Sequence, residues 1–444
     1  MQTLWNTHRH VMTVWLVSLA AGLFAACVLY GVARTNGLNL ALLTGDAKGY
    51  AILAQNILDH GVFSVARESP YYPESFRSPG YPAFLAALFA IFHSWTAVMF
   101  AQALLVSVMP VLLYLLLRPY HERAAFWGSI LFAIEPIHLY LSSTLLSDAL
   151  FAVLLLASLL CLEWARGGSW RYGLVGGLVL GAAILVRPIA MFLPLLYVLY
   201  IVLPRPTKAQ LLAVAALVAG VMVVVLPWSV RNWQHFHSVS TSSVGAYNLM
   251  LYNAPEYLKY RPSLEGQRIY DTFLVEQSAL PREDALSLAR SSIFTATFRD
   301  IIRGHELDYA FFHLFKTIPF FVSDGLRDTV RLFGVDIGAM PNITTALLHG
   351  QLGTLVAYAA SGGVALWLLV VGSGFWVAVL LGWLVSCFIL LRQRNWQALF
   401  FVCVLVLYFA ALTGPVSNAR YRLPVEGFLL VGAVAAVVSL RKHA

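Results

Sequence analysis

Apolar windows recur along the chain near residues 11–33, 95–117, 124–141, 148–165, 172–188, 189–204, 209–228, 365–391, 397–414 and 423–440. Each approaches or exceeds the length needed to cross a hydrocarbon core of roughly 30 Å as a helix. The pattern predicts an all-α polytopic membrane protein, a bundle of about ten transmembrane helices, or eleven to twelve if 305–391 holds more than one span. Polar stretches interrupt it at 34–94 and 229–364. They set the domain reading: 1–228 as an N-terminal transmembrane catalytic module including the loop 34–94, 229–364 as a mostly helical insertion or lid, and 365–444 as C-terminal transmembrane helices.

Shorter periodicities lie inside the polar stretches. In GDAKGYAILAQNILDH (45–60), Tyr50, Leu53, Ala54, Ile57 and Leu58 recur at i, i+3, i+4, i+7 and i+8, the signature of a helix lying on a membrane rather than through it. Pro79 and Pro82 mark the start of a second apolar helix over 79–93, too short to span. YAFFHLFKTIPFFV (309–322) contains Lys316 and Pro319 and reads as interfacial, and 343–364 reads as a lead-in helix to the 365–391 span.

Of the 444 residues, 60% are hydrophobic and 11% charged, against about 25% charged in soluble domains, which excludes a soluble globular protein. The excess of 29 Lys and Arg over 21 Asp and Glu is a matter of topology, not a nucleic-acid signal. Alternate loops hold Arg9, Arg118, Arg123, Arg166, Arg171, Arg205, Lys208, Arg392, Arg394, Arg441 and Lys442, with only Glu122 and Glu163 opposing them. That asymmetry marks those loops and both termini as cytoplasmic and puts 34–94 and 229–364 outside. Span 11–33 reads as an uncleaved first span. Cys27, Cys161, Cys387 and Cys403 all fall in apolar runs and suggest neither disulfides nor a cysteine metal site.

A carboxylate in hydrocarbon costs roughly 2.5–3.5 kcal/mol on insertion scales, so acids at the outer membrane edge need a reason. Three stand there: Asp46, Glu135 before Pro136, and Asp148 in STLLSDALF. Asp46 reads either as an N-cap or as a general base beside the bilayer. Asp148 either caps its span or acts with Asp46, and Glu135 reads as an acid bonded to backbone freed near Pro136. Cations gather on the same side from separate parts of the chain: Arg77 before PGYP, Arg187 in LVRP, Arg231 in PWSVRNW, and Arg420 and Arg422 in NARYRLP. Guanidinium matches phosphate oxygens in bidentate fashion. The combination suits transfer of a sugar from a lipid-borne phosphate: the acid removes the acceptor proton while the cations take the charge growing on the departing phosphate.

Lys48, Tyr50, His60, Tyr81 and Glu135 complete the candidate substrate contacts. No His or Cys pair has metal spacing near these acids; a donor with one phosphate does not require a divalent cation, and does not exclude one. The rival reading is a transporter or lipid flippase using Asp46 and Asp148 as a cation or proton relay. Relay acids belong near mid-membrane on broken, repeated helices, whereas these two are predicted at the outer edge.

The motifs GDAKGYAILAQNILDHGVFS, RSPGYPAFLAALF, SSTLLSDALF, LGAAILVRPIA, LPWSVRNW followed by YNLMLYNAP, and ARYRLPVE run in that order over the whole chain. Together they resemble the polyprenyl-phosphate-dependent glycosyltransferases of the GT-C type, in particular those similar to lipid A aminoarabinose transferase and to protein O-mannosyltransferases. The resemblance implies a GT-C bundle in which a first-loop acid, here Asp46, is the catalytic base and a second acid, here Asp148, opens the fourth span. It implies Arg77 as a phosphate ligand, with Arg231 and Arg420 as weaker matches. It further implies an undecaprenyl-phosphate-linked sugar as donor, a lipid A, polysaccharide or protein acceptor, inversion at the anomeric carbon, and a site on the periplasmic face of a bacterial cytoplasmic (inner) membrane. The ten predicted spans are fewer than in larger members, which leaves the acceptor open.

Overall fold

The computed structural model describes residues 2–203, 205–334 and 364–440, with isolated positions between 350 and 360. Among the described residues every regular element is helical. The first part of the chain forms α1 (Gln2–Thr35), α2 (Gly45–His60), α3 (Gly80–Phe92), α4 (Trp95–Val106), α5 (Met109–Ile134), α6 (Pro136–Ser142), α7 (Ser147–Arg166), α8 (Trp170–Val186), α9 (Leu193–Val202) and α10 (Lys208–Phe236). Short helices of the insertion follow, then Val364–Arg392, Leu405–Thr413 and the last helix, Ala419–Leu440. Among the described residues seven helices are long and apolar enough to cross a membrane. The windows at 172–188 and 189–204 fall on the shorter apolar helices Trp170–Val186 and Pro188–Val202.

One of the seven, Trp95–Ile134, carries two of the predicted spans because it doubles back at His121, where the backbone leaves helical geometry (φ −161, ψ 90). The Tyr114 and Phe126 rings lie 6.5 Å apart, whereas twelve residues of straight helix would separate them by about 18 Å. Leu113 and Gly128 accordingly pack on neighbouring turns of the last helix, against Gly427 and Val431. The third span is shorter than the expected 124–141. It stops at Ile134, since Pro136 holds Glu135 extended (φ −68, ψ 130) and the chain restarts as α6.

Arg118 donates to Thr7 (2.9 Å), His10 packs on Phe126, Arg166 lies over the Tyr200 ring, and Gln210 donates to the Arg166 carbonyl (2.8 Å). The start of α1, the reversal at His121, the end of α7 and the start of α10 therefore share one end of the bundle. At the other end lie α2, the start of α7, the end of α8 and the start of the last helix. The α8–α10 pair is what fixes the end of α8. A Cβ at Gly173 or Gly177 would stand 2.3 or 2.1 Å from the carbonyl oxygen of Ala213 or Leu217, so this small-residue stripe brings the two backbones together.

The α2 stripe is buried at Leu53 and Ala54, half-buried against the core at Tyr50 and Ile57, and exposed only at its last member, Leu58. Ala47, Ala51 and Asn56 are buried beside it. In the insertion, Met250, Tyr257, Phe273, Phe294, Phe298 and Phe312 form a separate apolar core. The 309–322 stretch breaks at Lys316–Thr317 into Glu306–Phe315 and Ile318–Val322, neither long enough to span. Lys316, nearly buried, is paired with Glu256 at 2.9 Å. The lead-in helix expected over 343–364 lies outside the described residues, apart from isolated positions.

Candidate active site

Two carboxylates begin the site, each in the first turn of a helix, where the unsatisfied N–H groups and the helix dipole favour negative charge. Thr44, not Asp46, is the N-cap of α2: its backbone is extended and its hydroxyl accepts from the Ala47 N–H at 3.0 Å. Asp46 is thereby free of capping and its side chain is 41% exposed. Asp148, in the first turn of α7, is only 1% exposed.

Three arginines from three other elements close on this pair. Arg77, in the loop between α2 and α3, donates from Nη2 to Asp46 Oδ1 at 2.9 Å. Its guanidinium lies 4.5 Å from the centroid of the Tyr50 ring, and the Tyr50 hydroxyl is 3.3 Å from Ser147 Oγ beside Asp148. Arg187 is the C-cap of α8, held extended (φ −143, ψ 116) by the proline that follows. It donates to Asp148 Oδ1 and lies over the Tyr421 ring at 5.5 Å. Arg420, in the first turn of the last helix, joins the two acids: Nε and Nη2 lie 2.9 Å from Asp148 Oδ2, and Nη1 lies 3.4 Å from Asp46 Oδ2. Burial pushes the Asp46 carboxyl up, but Arg77 and then Arg420 outweigh it and hold it below the ordinary carboxylate value. The site is thus a chain, Arg77–Asp46–Arg420–Asp148–Arg187, assembled from five places in the sequence.

The other predicted positions lie outside this chain. Arg231 instead fastens the loop that carries Arg77: it donates to the Glu74 carbonyl and to Asn232 Oδ1, both at 2.8 Å, with its guanidinium 4.5 Å from the Trp228 ring centroid. Ser242 Oγ donates to the Phe76 carbonyl and the Leu288 N–H to Ser75 Oγ, so the insertion holds the same loop from above. Arg422 is fully buried on the far side of the last helix, bonded to Glu426 and the Phe320 carbonyl and packed on Trp376. It offers no surface to a phosphate.

Glu135 joins that second cluster, capping α6 at the His138 N–H and lining a cavity of about 300 Å³ with Leu131, Asp324, Phe375 and Trp376. Tyr81 is fully buried, edge-on to Tyr50 and bonded to Gln102 at 2.7 Å, so it supports the site from beneath rather than meeting a substrate. His60 stacks on Tyr71, about 21 Å along α2 from Asp46. Lys48 points outward from α2, exposed. Gln102 was not singled out by sequence reasoning. Its amide donates to the Thr144 carbonyl at 2.7 Å, just ahead of Asp148, and a lone amide in WTAVMFAQALLV was the available signal. Among the described residues no group of three His, Cys, Asp or Glu side chains is placed to hold a metal ion.

The helical bundle has the fold of a membrane oligosaccharyltransferase of known structure, and about a third of the chain matches a glycosyltransferase family. Residues 76–230 match the family described as dolichyl-phosphate-mannose-protein mannosyltransferase. Three structures of the Archaeoglobus fulgidus oligosaccharyltransferase share the fold at 16% identity over 96% of this chain: the apo form (TM-score 0.52), AglB with an inhibitory peptide and a dolichol-phosphate (0.51), and the enzyme tethered to an acceptor peptide (0.50). This chain spans about half the length of those proteins, 50% to 51%. A search of curated protein sequences finds no match.

Proposed function

We propose that this chain is an integral membrane glycosyltransferase that moves one sugar from a polyprenyl monophosphate, in a bacterium undecaprenyl phosphate, to a hydroxyl-bearing acceptor at the extracytoplasmic face. The observation that carries the reading is the Arg77–Asp46–Arg420–Asp148–Arg187 chain at one end of the bundle. Asp46, the more exposed carboxylate, takes the acceptor's proton. The acceptor oxygen forms the new bond to the anomeric carbon from the side opposite the phosphate, which inverts that centre. The bond from carbon to phosphate oxygen breaks with its electron pair on the phosphate, and Arg77 and Arg420 take up the added charge. Asp148, buried between Arg187 and Arg420, has a positioning role: it holds the arginines at their station. The Lys- and Arg-rich opposite end supports a cytoplasmic placement of both termini in the inner membrane.

The test is mass spectrometry of envelope lipids, glycans and glycoproteins from cells carrying the wild-type chain, the Asp46→Asn variant or no chain. One missing glycosyl addition, with accumulation of a polyprenyl-phosphate sugar, is expected in the last two. Identical profiles in all three would refute the activity.

A further inference from the structure

The groups that would receive a phosphate are also the groups that hold the base, and the inference below rests on the function just proposed. Arg77 Nη2 is bonded to Asp46 Oδ1 and Arg420 Nη1 leans on Asp46 Oδ2. Both carboxylate oxygens are engaged, and the ion pairs depress the carboxyl's affinity for protons. A carboxylate in that condition accepts a hydroxyl proton poorly.

The two acids are held unequally. Arg420 makes its short contacts, 2.9 Å from Nε and Nη2, to Asp148, which also holds Arg187 and is 1% exposed. Its contacts to Asp46 are long, 3.4 and 3.5 Å, and Asp46 is 41% exposed. Asp148 is therefore the fixed anchor of Arg420, and Asp46 is the partner that can be exchanged. Arg77 has the same freedom, because the Tyr50 ring keeps its guanidinium in place when the carboxylate leaves.

We infer that the donor's phosphate displaces Asp46 from Arg77 and Arg420, so that Asp46 becomes a working base only in the donor-loaded enzyme and the acceptor hydroxyl binds second. The phosphate oxygens take the Nη2 edge of Arg77 and the Nη1 edge of Arg420, while the Asp148 anchor stays in place. The freed carboxylate then receives the acceptor's hydroxyl proton. The charged and titratable groups around Asp46 are Arg77 from the loop, Arg420 and Tyr421 from the last helix, Tyr50 from α2 itself, and Asp148 across Arg420.

The experiment uses the full chain in nanodiscs and a polyprenyl monophosphate without sugar as probe. Carbodiimide-driven amine labelling is followed at Asp46 by peptide mass spectrometry across pH, and binding of the lipid is measured separately by phosphorus NMR. Opposite charges nearby depress a carboxyl, so the Asp46 labelling midpoint should rise with the lipid phosphate and stay fixed with the neutral polyprenol. Arg77→Gln should raise the midpoint without any lipid, and Arg77→Lys, which keeps the charge, should leave it low. If the phosphate lipid binds and the midpoint does not move, the exchange is wrong and the site reading survives. If the lipid does not bind at all, both fall together.

Discussion

Replacing Asp148 with Asn separates the roles of the two carboxylates. The side chain is 1% exposed and lies between Arg187 and Arg420; Asn keeps its shape, removes its charge and leaves two guanidinium groups facing each other across a neutral amide. At an effective dielectric near 20, each charge contact at about 4 Å is worth about 4 kcal/mol before desolvation. Removing one partner of a buried pair costs about 3–5 kcal/mol. Solvent reaches both arginines, 17% and 28% exposed, which places the expected loss at the low end, about 3 kcal/mol.

Asp46 differs. Its exposure limits its ion pairs to about 0–1 kcal/mol, so Asp46→Asn should leave stability nearly unchanged while lowering turnover by about 10²–10⁴. The assay is the denaturation midpoint of each purified variant in detergent, read beside its rate of glycosyl transfer. An Asp148→Asn protein as stable as wild type, or the same loss of stability in both variants, would refute the assignment of anchor and base.

Arg77→Lys should raise the donor KM by about tenfold, because a lysine cannot present a fork to phosphate while stacked on Tyr50; a donor titration checks it. Arg422→Met leaves Glu426, Glu135 and Asp324 without their shared cation and should lower stability by about 3–5 kcal/mol, visible as a fall in Tm in detergent. Gly177→Leu puts a side chain where even a Cβ would be 2.1 Å from the Leu217 carbonyl oxygen. It should separate α8 from α10, shift Arg187 and reduce both Tm and turnover. Because Asp46 in the folded protein holds its proton less tightly than a free carboxyl, kcat/KM for the donor should persist on acidification through the ordinary carboxylate range and fall only below it. The small stability contribution of the same group is present above the unfolded value and is lost as pH falls through the lower folded one.

The spans were legible because hydropathy is a local property of the sequence. Even the reversal within Trp95–Ile134 was visible, as a gap between apolar windows around the charged 118–123 stretch. The assignment of individual arginines was not. Arg420 and Arg422 stand in one motif, yet two positions on a helix differ by about 200°, so one meets Asp148 and the other faces Trp376 and Glu426. Which of them faces the site depends on the rotation of the last helix, set where Gly427 meets Leu113 and Gly432 meets Trp383. Arg231 sits near the site in sequence logic but is drawn away by the Glu74 carbonyl, a partner 157 residues distant.

The charge count of the site bears on the donor. Arg77, Arg187 and Arg420 face Asp46 and Asp148, which leaves one positive charge in a part-buried cluster where unpaired charge is costly to keep out of water. A sugar joined to a polyprenyl monophosphate is a phosphodiester with one negative charge, and its arrival brings the total to zero. During transfer the phosphate becomes a monoester and gains a second negative charge, while Asp46 loses one by taking the acceptor's proton. The total is zero again, so the reaction moves charge within the cluster without creating any. A diphosphate-linked donor would bring at least one further negative charge both before and after transfer. Among the described residues no further cation is in ion-pair contact with Asp46 or Asp148 to meet it. The purified protein should therefore use a sugar on polyprenyl monophosphate at least about tenfold better than the same sugar on polyprenyl diphosphate, the discrimination of about 1.4 kcal/mol that one unmatched charge readily supplies. Equal kcat/KM for the two lipids without added divalent cation would show that the arginines do not set the donor's charge.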